Sequence, residues 1–65
     1  MNIFLTLILC SALDGTCPQM WHKNDPYDDW STCMNAGYAH SKEFMEALGP
    51  AVINKKQLFI KFYCG

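Results

Sequence analysis

The sequence predicts a small α/β domain: a βαβ unit in which one amphipathic helix packs on a short two-stranded, parallel sheet, stapled by cysteines. Three observations carry that expectation. Residues 26–48 repeat apolar side chains at spacings of three and four, the period of one helix face. Residues 57–64 alternate in strand fashion, with Leu58, Ile60, Phe62 and Cys64 on one side and Gln57, Phe59, Lys61 and Tyr63 on the other. Residues 1–10 form an apolar run rich in Ile, Leu and Phe, short enough to be a strand buried on both faces.

The N-terminal run has a second reading. Met1 to Leu9 resembles the apolar part of a secretory signal peptide, and Cys10-Ser11-Ala12 offers small residues around a cleavage point at about residue 12. Against it, no Lys or Arg precedes the run, and removal would leave three cysteines. Residues 11–25 hold Asp14-Gly15, Cys17-Pro18 and Asn24-Asp25-Pro26, turn formers dense enough to predict a loop, with Met20 and Trp21 at the edge of the core.

Asp25-Pro26-Tyr27-Asp28 predicts the helix start, with Asp25 as N-cap, Pro26 at the first position and an acid in the first turn. Tyr27, Trp30, Cys33, Met34, Gly37, Tyr38, Ser41, Phe44, Met45 and Leu48 then trace the buried face, and Gly49-Pro50 ends the helix. At ~1.5 Å per residue its length is about 34 Å. Gly37 on that face predicts a close approach by another backbone, since glycine there costs roughly 1 kcal/mol against alanine. Asn54-Lys55-Lys56 reads as a polar turn.

A chain of 65 residues is one domain, and one this small commonly needs disulfides, a metal or a partner. With 51% apolar residues it is too hydrophobic for a disordered tail. Five Lys, no Arg and a net charge of −1 lack the footprint of a nucleic-acid binder. No segment is apolar for long enough to span a bilayer.

Cysteines at 10, 17, 33 and 64 suggest a disulfide framework if the protein meets an oxidising compartment, and buried thiols if it stays in a reducing cytoplasm. Parallel strands ending on one edge predict Cys10 with Cys64 and Cys17 with Cys33. If a signal is removed, Cys33 with Cys64 becomes the expected bridge.

The remaining chemistry is sparse. Cys17, His22, Cys33, His40 and Cys64 have no Cys-x-x-Cys or His-x-x-x-His pair to preform a zinc site. Cys33 and His40 are separated by about 10 Å along a helix, too far for a nucleophile and its base. Asp28 and Asp29 read as first-turn acids, and the Trp30, Tyr38, Phe44 stripe as core. No catalytic residue, cofactor or small-molecule substrate emerges.

The string Asp29-Trp30-Ser31-Thr32-Cys33-Met34-Asn35-Ala36-Gly37-Tyr38, with Asn54 and Leu58-Phe59-Ile60-Lys61-Phe62-Tyr63-Cys64 following, resembles small orphan proteins of marine bacteriophages. That family carries no assigned activity or functional residues, so the resemblance implies a source and no mechanism.

One helix covers one side of a two-stranded sheet, leaving Phe59 and Tyr63 without cover. The expectation is therefore a non-enzymatic structural or interaction module, such as a phage capsid-decorating or cement protein. It would be completed by self-association or by docking on a protein partner through Phe59, Tyr63 and Trp21, in the virion or the host cytoplasm. The alternative is an exported, disulfide-stapled effector or inhibitor, periplasmic or extracellular, acting on an envelope or extracellular target.

Overall fold

The computed structural model describes residues 2–65, so Met1 of the expected N-terminal segment lies outside it. The elements in chain order are β1 (Leu5–Ser11), β2 (Thr16–His22), α1 (Trp30–Leu48), α2 (Pro50–Lys56) and β3 (Leu58–Cys64). They form one three-stranded sheet in the order β2-β1-β3, and both pairings are antiparallel. This corrects the two-stranded parallel sheet.

The error has a definite origin. β2 and β3 are each antiparallel to β1 and so run parallel to each other, with the two helices as the crossover between them. A βαβ connection is present, but it starts from β2, and β1 fills the space between its strands. Residues 16–22 escaped recognition as a strand because Pro18 and Gln19 break any apolar alternation, and nearly the whole strand is exposed.

The central position of β1 accounts for its composition. A middle strand has a neighbour on each edge and is shielded on both faces, and here every residue of β1 is buried except the half-buried Thr6. Ile3, Leu5 and Leu7 form the core with Cys33; Trp21, Tyr27, Ala36, Ile60, Phe62 and Cys64 pack around them. By alternation, Ile8 and Cys10 point to the other side of the sheet.

The β1–β2 hairpin turns through Ala12 to Gly15, closed by the Ser11–Thr16 pair. Gly15 takes φ 71° and donates its N–H to the Ser11 carbonyl at 2.9 Å. The Ser11 hydroxyl is buried and ties three pieces of chain together. It donates to the Lys56 carbonyl at 2.8 Å and accepts from the Asp14 N–H at 3.2 Å. Pairing slips between Leu9 and Ser11, a bulge at the level of Pro18, which has no N–H to give to a ladder.

Helix α1 starts one turn later than Asp25-Pro26 suggested. Tyr27 is held extended by exchanging hydrogen bonds with Ile3, N–H to O at 2.7 Å and 3.0 Å. The N-cap is Asp29, whose Oδ1 accepts from the Thr32 N–H at 2.7 Å. Nineteen residues give a length of about 28 Å. Gly49, at φ 86°, ends α1 by donating to the Met45 carbonyl, and Pro50 opens α2. Residues 54–56 therefore close a short second helix where a polar turn was expected.

α2 hands over to β3 at Gln57, which adopts the left-handed conformation with φ 53°. Its N–H donates to Ile53, while its carbonyl accepts from Ala12 at 2.9 Å. β3 then pairs with β1 without interruption from Leu58–Ser11 to Cys64–Leu5.

Gly37 is buried, as its place on the apolar face implied, but what approaches it is a ring and no backbone. The Phe62 side chain lies so close that a Cβ at position 37 would collide with it. Tyr38 meets the same ring edge-on, centroids 5.0 Å apart.

Candidate functional site

Both faces of the sheet follow from the strand registers. One face, carrying Leu5, Leu7, Trp21, Ile60 and Phe62, lies under α1. On the other, the register places Thr6 between His22 and Tyr63, and Ile8 between Met20 and Lys61, with Cys10 opposite Phe59. Phe4 exchanges backbone hydrogen bonds with Gly65 and continues the central row of that second face. No helix covers it.

The open face is apolar at its rim as well as its centre. Ile8 and Cys10 are buried among their neighbours, but Phe4, Met20, Phe59 and Tyr63 are 44%, 57%, 42% and 58% exposed. Half-exposed side chains of this size amount to a patch of roughly 400 Å². Its polar members are Thr6 and His22, joined Oγ1 to Nδ1 at 3.0 Å, and Lys61.

The three residues assigned to interaction from sequence do not lie together. Phe59 and Tyr63 share the open face. Trp21 is half-buried on the helix side, its ring 4.5 Å from that of Phe44 between centroids. Phe4 and Met20 take its place on the open face. They were missed because Phe4 sat inside a uniformly apolar run and Met20 inside an apparent loop. Two members of the helix stripe are also displaced from the core: Trp30 and Tyr38 are 57% and 64% exposed.

All four cysteines are in disulfides, with partners other than those expected. Cys10 bonds Cys17 across the β1–β2 hairpin, and Cys33 bonds Cys64, with Cα atoms 6.1 Å apart in the second pair. The antiparallel register explains the correction: Cys64 stands opposite Leu5, at the far end of β1 from Cys10. Cys33, in the first turn of α1, lies over that same end. The bridge foreseen only for a chain lacking its N-terminus thus forms with the N-terminal strand in place.

With its thiols bonded, the chain offers no cysteine nucleophile among the described residues. Asp29 is held below the usual carboxylate range by hydrogen bonds from Thr32, its side chain first and its backbone N–H second. That is the electrostatics of a helix cap. Among the described residues no three His, Cys, Asp or Glu groups converge to hold a metal ion, and no helix is long and apolar enough to cross a membrane. No family model, curated protein or solved structure matches the chain.

Proposed function

We propose that this protein is a non-enzymatic structural or interaction module whose open sheet face is covered by a second copy of itself or by a larger protein. The carrying observation is the row of Phe4, Met20, Phe59 and Tyr63 standing exposed around Ile8 on a face no helix reaches. An apolar patch of about 400 Å² is as large as the largest patch of a typical monomer, about 300–600 Å², and patches of that rank are often where a protein binds. A small virion accessory, decorating or cementing a capsid, is the role that suits such a module.

The edges of the sheet bear on how cover is provided. β2 presents a poor edge: Pro18 lacks an N–H, and the pairing is irregular beside the Cys10–Cys17 bridge. β3 presents a regular edge of seven residues. The face alone falls short of the roughly 800 Å² per partner of a standard interface. Joining β3 to a neighbouring strand would add main-chain hydrogen bonds to the face contact.

A second reading, an exported effector or inhibitor, is favoured by one observation: Cys33 and Cys64 are bonded, the bridge that a chain without its first twelve residues would keep, and disulfides belong to oxidising compartments. The intact mass of the protein from its native source separates the two. The module reading expects residues 3–11 to be kept, since they supply the middle strand. A mass lacking about twelve residues would leave the sheet without that strand and contradict it.

The face is tested by Phe59→Asp and Tyr63→Asp. Each is expected to abolish association seen by light scattering while leaving the far-ultraviolet circular dichroism unchanged. Undiminished association in both variants would exclude the face.

A further inference from the structure

Between the end of β2 and the C-terminal half of α1 lies a cleft of about 400 Å³. α1 is fixed to β3 near its start by Cys33–Cys64 and by Phe62 against Gly37. On the β2 side its later half touches the sheet through Phe44 on Trp21. Helix positions 40, 43, 44 and 47 form one stripe along this gap, facing Trp21, His22 and Lys23.

Two kinds of surface meet there. Leu7, Trp21, Phe44 and Ala47 give an apolar wall; Lys23, His40 and Glu43 form the rim. Glu43, the one acid of the lining, lies 3.9 Å from His40 Nδ1. Lys23 has no carboxylate within ion-pair distance among the described residues. An apolar recess of this size with a few polar groups at its mouth is the usual form of a small-molecule site. A free ammonium beside an aromatic wall selects a ligand that is apolar in body and negative at one end.

The geometry points to a binding site for a small amphiphilic anion: a planar apolar body against Trp21 and Phe44, with one carboxylate or sulfonate directed to Lys23. The site is on the opposite face of the sheet from Phe59 and Tyr63. Its existence does not rest on the association face.

The test titrates the isotope-labelled, fully oxidised protein with 2-naphthoate, and in parallel with the neutral 2-naphthalenemethanol, following amide and indole resonances. Saturable shifts are expected at Trp21, Lys23, Phe44 and Ala47. Lys23→Glu, at an exposed position, should weaken 2-naphthoate about fivefold, the size of one charge contact near a surface, and leave the alcohol unchanged. Ala47→Phe, also exposed, should fill the cleft and weaken both. Shifts centred on Phe59 and Tyr63, indifference of 2-naphthoate to Lys23→Glu, or no saturable shift up to about 5 mM, a free energy no better than roughly −3 kcal/mol, would each overturn the site.

Discussion

Of the four glycines only Gly37 has a neighbour against it, the Phe62 ring. A glycine inside a helix costs roughly 1 kcal/mol against alanine, so Gly37→Ala would ordinarily stabilise. Here the added methyl meets the Phe62 ring, which also makes an edge-to-face contact with Tyr38. Overpacking of this kind costs about 1–3 kcal/mol. Gly37→Ala is therefore expected to lower stability in urea with the disulfides intact; a gain would show that the ring moves aside freely. The glycine's position on the apolar face was legible in the sequence. The identity of its neighbour was not, because that depends on the register of a strand 25 residues away.

Ser11 is a second residue whose role only the fold reveals. Its hydroxyl serves the Lys56 carbonyl and the Asp14 N–H at once, joining the hairpin loop to the end of α2. Ser11→Ala leaves both groups without that partner in a part-buried place, at a cost of about 1 kcal/mol by equilibrium unfolding. A change within experimental error would mean that water replaces the hydroxyl. In the sequence Ser11 is one small residue before a turn, and nothing local marks it.

At the scale of elements, the two disulfides act on loops of different length. Cys10 and Cys17 are seven residues apart, Cys33 and Cys64 thirty-one. In the chain-entropy model the short loop contributes about 2.5 kcal/mol and the long one about 3.7 kcal/mol. Replacing Cys33 and Cys64 together by Ala should thus lower the unfolding midpoint further than replacing Cys10 and Cys17. The reverse order would show that the hairpin bridge matters through the irregular β2 pairing it supports.

The elements also divide by how their signal is carried. α1 and β3 announce themselves because each repeats its own period over enough residues. β1 was visible as a strand for a different reason, a short run apolar on both faces, which is the character of a middle strand. β2 was hidden: Thr16-Cys17-Pro18-Gln19-Met20-Trp21-His22 is an edge strand with little to bury, so tertiary pairing with β1 decides its conformation. Missing it turned an antiparallel sheet into a parallel one and moved Cys64 to the wrong end of Cys10. The start of α1 was misplaced for a related reason, as Tyr27 is taken up by its bridge to Ile3.

For the whole molecule, the expectation of an uncovered sheet face came through the change of topology, since it rests on a count of layers. A third strand widens the sheet, and α1 still covers only one side of it. β3 offers a sharper test of how that face is covered. Phe4 and Gly65 exchange both backbone bonds, so alternation directs the N–H groups of Leu58, Ile60, Phe62 and Cys64 outward. N-methylation of Ile60, by chemical synthesis, would block strand addition without removing a bond to β1. Loss of association would assign it to the edge; retention would assign it to the face alone.

The most direct measurement is sedimentation equilibrium of the oxidised full chain across a micromolar concentration series. Interaction of the exposed Phe4, Met20, Phe59 and Tyr63 with a second copy predicts a mass that rises with concentration towards a dimer and falls to that of one chain in Phe59→Asp. A single-chain mass at every concentration, with no partner retained from the native source, would contradict the account.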